Sequence, residues 1–247
     1  MKGQTITFDG HRLNDLFFTG EVEVGLPDFE VDATGRSGLD GSLVRSVRMG
    51  SLEIVVPLVA KFRKGHAARE SLATLMQWLD VDEPKALTLS EDGGLVRMVV
   101  PTGPPEVTDH YYGDKLTVTL MQPDPWLYGE TRTATIPSGS SSYVDINVGG
   151  TYPTNPTISA TGAKRNGTSY LWGVSLDSAA SIEVRLPTSS STAVMFDCDG
   201  RTCTVAGATA LPTLSSDWLT LKPGAHRLRN SSGSGAATVT WRERWHR

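Results

Sequence analysis

Across 247 residues the chain carries 27 acidic and 23 basic side chains, a formal net charge of minus 4 with no long run of either sign, which excludes the electrostatic footprint of specific nucleic-acid binding. Charged residues make up 20% and hydrophobic ones 38%, while 25 glycines and 14 prolines give a turn-rich balance that suits many short strands and excludes a helical bundle. No apolar stretch approaches the roughly 20 residues of a membrane-spanning helix, and the first residues lack the apolar core of a signal peptide, so we expect no membrane insertion and assembly in the cytoplasm.

Ile6-Thr7-Phe8 alternates and runs into an Asp9-Gly10 turn. A short apolar patch (Leu13, Leu16, Phe17, Phe18) precedes a second alternating strand at Glu21 to Val24, and the polar, Gly-rich stretch from Thr34 to Gly41 predicts a long mobile loop. Leu52 to Leu58 restores the period of two. Between His66 and Leu79 the apolar residues Ala68, Leu72, Leu75, Met76 and Leu79 fall on one stripe of an α-helix, expected to pack on a sheet. Strands resume at Ala86 to Leu89, Leu95 to Val100 and Leu116 to Leu120. Pro123 and Pro125 then prevent continuation of a ladder, so Asp124 to Gly129 reads as an exit from the sheet anchored by Trp126 and Tyr128. The boundary expected here divides the chain into domains 1–129 and 130–247, both of ordinary size.

Beyond Gly129 the composition shifts to Ser, Thr and Gly, with short strands expected at Thr131 to Ile136, Tyr143 to Val148, Thr157 to Ala160, Ser181 to Leu186, Ala193 to Cys198, Cys203 to Ala206 and Val239 to Trp245. This spacing is that of an antiparallel β-sandwich. Pro223-Gly224 sets a turn before the ending, whose last strand places Val239, Trp241 and Trp245 on one face. The two cysteines, Cys198 and Cys203, flank a hairpin turn; a diagonal and a directly opposed placement both fit, and free thiols are favoured.

Sites of known chemistry are missing from the pattern. Five scattered histidines have no second ligand at metal spacing, so no metal is expected. Asp197-Cys198-Asp199-Gly200 begins like a calcium loop but lacks the later ligands and reads as a turn. Ser231 to Gly235 precedes a strand and not a helix, which removes the geometry of a phosphate cradle, and no serine sits in Gly-x-Ser-x-Gly. We therefore expect no catalytic residue, no cofactor and no enzyme. Tyr170 and Trp172, beside Asn166-Gly167, offer an aromatic platform on which a sugar could stack, and a glycan-binding adhesion module is the alternative reading, with a carbohydrate-active enzyme behind it.

The order of these segments resembles the distal tail proteins of siphophages over nearly the whole chain. The opening Ile6 to Gly10 strand, the loop around Arg36 to Gly41, the helix ending in Trp78-Leu79 and the exit at Asp124 to Gly129 follow the first half of that family. The Ala193 to Gly207 hairpin and the Leu221 to Trp245 ending follow the second. The resemblance implies a mainly β chain with one α-helix, an N-terminal β-sandwich-like ring domain and a C-terminal galectin-like antiparallel β-sandwich. It also implies a homohexameric ring at the virion tail tip, assembled in the host cytoplasm, that joins the tail tube protein to the tail-associated hub protein and receptor-binding proteins around a channel for DNA. Ring contacts are expected at the loop carrying Arg36, Leu39 and Asp40. Sugar-binding galectins use a His-x-Asn-Pro-Arg strand, whereas the single Asn-Pro here, Asn155-Pro156, has neither the His nor the Arg, so the fold is expected without that lectin site.

Overall fold

The computed structural model describes residues 4–36, 38, 40–61, 66–108, 115–139, 141–165, 167, 169–177, 179–187 and 191–246. The chain divides between Tyr128 and Gly129 into two compact units. Both are built almost wholly of strands, and one α-helix, His66–Leu79, occurs among the described residues.

In the first unit a sheet of nine strands runs in the order His11–Arg12, Ile6–Phe8, Lys85–Leu89, Arg97–Pro101, Lys115–Gln122, Leu52–Ala60, Phe17–Thr19. Glu106–Thr108 and Glu23–Val24 pair off this path. Asp9 and Gly10 take positive φ (46° and 79°) between the paired Phe8 and His11, the left-handed geometry of a two-residue type I′ turn. The period of two in Leu52–Ala60 buries Ile54, Val56 and Leu58, and each stands opposite a buried residue of Lys115–Gln122: Leu120, Val118 and Leu116. Matching apolar stripes fix this register, because a slip of one residue would turn both to solvent.

The helix packs Leu75 and Leu79 into the same core, with Leu72 and Trp78 against it. Met76, expected on the buried stripe, is 42% exposed. Trp78 takes its place at the edge of the core and stacks on His11 with centroids 4.6 Å apart and planes 6° from parallel.

The second unit is a sandwich. Its six-stranded sheet runs Leu127–Ile136, Ala237–Trp245, Thr157–Ala163, Thr192–Asp197, Thr202–Val205, Ala208–Ala210. The four-stranded sheet runs Tyr143–Val148, Gly224–Ser232, Leu171–Leu176, Ala180–Arg185. One core joins them: Ile158, Phe196 and Val239 from the first sheet meet Trp172, Val174, Ile182 and Leu228 from the second. Trp172 and Phe196 lie stacked across it, 6.0 Å between centroids. In the closing strand Val239 and Trp241 are buried and Trp245 is half-buried.

Leu171–Leu176 carries no alternation in sequence because five of its six residues are buried. It lies inside its sheet, with neighbours on both sides. A Cβ on Gly173 would fall 2.2 Å from the Ile182 carbonyl oxygen, so the close approach of the next strand requires glycine there. In the Thr192–Asp197 and Thr202–Val205 hairpin, Cys203 stands opposite Phe196 and Asp197 opposite Thr202. Cys198 therefore lies in the turn, past the last pair, and both cysteines are free and buried. Asp197 Oδ1 accepts the Asp199 and Gly200 N–H groups at 3.1 and 3.2 Å, which closes the turn without any ion.

Candidate functional site

The stretch read as a long loop is instead the tip of a hairpin. Phe29–Gly35 and Ser42–Met49 pair with each other as a separate two-stranded sheet. Phe29 faces Met49, Val31 faces Val47 and Ala33 faces Val44, so these six residues share one face. The other face carries Glu30 opposite Arg48 and Asp32 opposite Ser46, with Thr34 and Leu43 beyond.

A register shift between Asp32 and Ala33 sets Arg45 outside the pairing as a bulge. Without it Val44, three residues from Val47, would fall on the polar face. The apolar face is uncovered in the single chain: Phe29 is 64% exposed, Val31 55%, Val44 53% and Val47 57%. Of the expected contact residues, Arg36 and Asp40 are exposed at the tip, and Leu39 lies outside the described residues. Sequence reading missed the apolar face because the bulge breaks the period of two in Ser42–Met49. The alternation in Phe29-Glu30-Val31-Asp32-Ala33 was the signal that was there to find.

A second arrangement fixes the exit from the first unit. Gln122, fully buried at the end of Lys115–Gln122, donates from Nε2 to the carbonyls of Asp124 and Trp126 at 2.6 and 2.8 Å. Its Oε1 accepts from Arg97 Nη1 at 3.2 Å. Tyr128 donates its hydroxyl to Asp124 Oδ2 at 2.8 Å, and Val96 and Tyr128 exchange both backbone hydrogen bonds. A segment in which two prolines remove ladder donors is thus held by side chains that replace them.

The expected aromatic platform does not form. Trp172 is 0% exposed, stacked on Phe196 in the core of the sandwich, and presents no face to a ligand. Its neighbour two positions earlier, Tyr170, is 39% exposed just before the strand. The Arg165 and Arg185 guanidiniums lie 4.3 and 5.5 Å from the Tyr170 ring centroid, so cation–π contacts occupy the ring. Burial of Trp172 removes half the platform, and the arginines cover part of the other half.

Among the described residues, no three His, Cys, Asp or Glu side chains gather as a metal site needs, and no helix is long and apolar enough to cross a membrane. Asp9, Asp80, Asp82 and Glu83 line one shallow surface pocket with His11, Trp78 and Lys85, and Lys85 pairs with Glu83 at 2.8 Å. The two arrangements that stand out among the described residues are the uncovered hairpin arm and the braced exit.

Residues 149–245 match the family model of the siphovirus-type tail component, C-terminal domain. The match lies within the second unit. The crystal structure of SPP1 Dit (gp 19.1), described as a paradigm of the hub adsorption apparatus in phages infecting Gram-positive bacteria, is similar at TM-score 0.74 and 19% identity. That match covers 98% of this chain and 99% of that one. The phage p2 baseplate in its activated conformation with Sr gives TM-score 0.49 and 10% identity, over 96% of this chain and 97% of that one. No curated protein matches the sequence. The second half thus carries the tail-component pattern, and the chain as a whole shares the fold of SPP1 Dit.

Proposed function

We propose that this protein is the hexameric hub of a long non-contractile phage tail tip. Six first units form a ring that joins the tail tube to tail-associated, baseplate and receptor-binding proteins, and the galectin-like second units point outward. The observation that carries this reading is the family match of residues 149–245 inside a fold shared with SPP1 Dit along 98% of the chain. The exposed hairpin tip with Arg36 and Asp40 is a further contact point of the ring.

Six copies at minus 4 sum to minus 24, and a channel of that character lets DNA slide, since firm holding would need the counterion release that basic side chains provide. Solution mass of the purified full chain is the test. A particle near six times 26.6 kDa supports the ring, and a monomer at every concentration overturns it. Strong, salt-sensitive DNA binding by that particle would sink the channel role.

A further inference from the structure

We propose that Arg165 and Arg185, gathered on the ring of Tyr170 in the second unit, form a binding site for a phosphate monoester. The site takes no part in the ring reading above and stands or falls apart from it.

Backbone contacts bring the three side chains together. Lys164 and Ser234 exchange both backbone hydrogen bonds, at 2.7 and 2.9 Å, which fixes the chain just before Arg165. Arg185 stands opposite Leu171 in the ladder, and the Leu186 N–H donates to the Tyr170 carbonyl at 3.0 Å. Tyr170 therefore enters its strand beside the end of the neighbouring one, with a φ of 59° in the left-handed region that a tyrosine seldom adopts. Its ring is 39% exposed and carries the Arg165 guanidinium at 4.3 Å and that of Arg185 at 5.5 Å from its centroid. Two cations from separate segments are thus held at one aromatic group.

Arg227, in the same unit, gives the contrast. It lies 4.3 Å from the Tyr143 ring centroid, but Asp145 accepts its fork through Nε at 2.7 Å and Nη2 at 3.0 Å, which neutralises the charge. Arg165 and Arg185 form no ion pair among the described residues. Glu183, on the same face as Arg185 and two residues before it, accepts the Ser231 hydroxyl at 2.8 Å instead. Lys164, exposed and next to Arg165 in the chain, supplies a third positive charge nearby. Two guanidiniums on one ring without a carboxylate repel each other, and the negative face of the ring relieves only part of that repulsion. A bound anion removes the rest.

The number and placing of the charges select the anion. A carboxylate has two oxygens in one plane, which a single guanidinium fork fills. A phosphate monoester has three free oxygens spread in space and accepts from two forks at once. It carries a charge of about −1.5 to −2 at pH 7, which matches a compact group of cations. A phosphodiester chain carries its single charges in a line and needs basic residues continued along the surface. Along the strand from Arg185 the same face carries Glu183 and Ser181, so the basic character stops there.

The test is calorimetric titration of the full chain with glycerol 3-phosphate, with glycerol and a single-stranded oligonucleotide as comparisons. Wild type and Tyr170→Phe are expected to bind glycerol 3-phosphate alike. Tyr170→Ala should weaken binding about fivefold, and the double variant Arg165→Gln with Arg185→Gln about tenfold or more, all of them folded by near-ultraviolet circular dichroism. Phenylglyoxal labelling of wild type, read by peptide mass spectrometry, gives an answer independent of any variant: glycerol 3-phosphate should slow modification of Arg165 and Arg185 and leave that of Arg227 unchanged. A double variant that binds like wild type overturns the site, and so does a wild type showing neither heat nor protection of the two arginines at about 10 mM ligand. Equal binding of glycerol overturns phosphate recognition. An oligonucleotide that protects the two arginines better than glycerol 3-phosphate overturns the monoester in favour of a nucleic-acid backbone.

Discussion

Arg97 grips Asp92 with both prongs of its guanidinium, Nε to Oδ2 and Nη2 to Oδ1 at 2.8 Å each, while its side chain is 1% exposed and that of Asp92 7%. The pair terminates the buried chain of donors and acceptors that runs through Gln122 to the exit segment. Arg97→Ala leaves the carboxylate buried without its partner, at an expected cost of about 3–5 kcal/mol. Urea unfolding of the full chain measures it, and a loss under about 1 kcal/mol would show that Asp92 finds water or another donor.

Trp172 and Tyr170 are two residues apart and should behave in opposite ways. Trp172→Ala removes a fully buried indole stacked on Phe196 and should destabilise the second unit by about 3–5 kcal/mol. Tyr170→Ala, at a half-open surface position, should cost about 1 kcal/mol or less. Thermal denaturation followed by tryptophan fluorescence distinguishes them, and equal losses would contradict the burial difference.

Asp177 anchors the start of the Gly224–Ser232 strand. Its Oδ1 accepts the Arg227 backbone N–H at 2.7 Å and its Oδ2 meets His226 Nδ1 at 2.6 Å. The backbone hydrogen bond first, then the histidine, holds this carboxyl below its ordinary value of 3.8. A group depressed in the folded state adds stability above its unfolded pKa and loses it as pH falls through the folded one. The melting-temperature gap between wild type and Asp177→Ala should therefore be full at pH 5 and above and shrink steadily below about pH 3.8. A gap constant down to pH 2.5 would rule out this linkage.

Burial pushes the thiols of both Cys198 and Cys203 up to about 11. Only the thiolate attacks a disulfide reagent, so at pH 8 the folded chain should resist labelling by Ellman's reagent. Two thiols per chain should then react at once in guanidinium. Fast labelling of either cysteine in the folded protein would place it at the surface.

Legibility in the sequence followed the strength of the local pattern. Leu52–Ala60 and Lys115–Gln122 bury one face each, so their alternation survives in the residues and both were predicted close to their actual ends. The helix His66–Leu79 was equally clear from its stripe, although Met76 and Trp78 exchange roles because His11 supplies a stacking partner that no local pattern reveals. Leu171–Leu176 escaped because a strand buried on both faces does not alternate, and that burial withdraws Trp172 from the aromatic platform that the sequence offers. The arm escaped for a different reason. Its bulge at Arg45 breaks the period in one strand, and its polar, Gly-rich tip looks like the centre of a loop rather than the end of a ribbon.

The order of strands in the sandwich sets a limit on how the second unit can be cut. Gly224–Ser232 lies between Tyr143–Val148 and Leu171–Leu176, and Ala237–Trp245 lies between Leu127–Ile136 and Thr157–Ala163. The stretch that carries the family pattern, 149–245, excludes the earlier neighbour of each of these closing strands. A fragment trimmed to that stretch would bare a long edge on both sheets at once and lose the buried Ile136, Ile146 and Val148. Such a fragment would be expected to clump, whereas one begun at Gly129 keeps every strand of the sandwich except the first two residues of Leu127–Ile136.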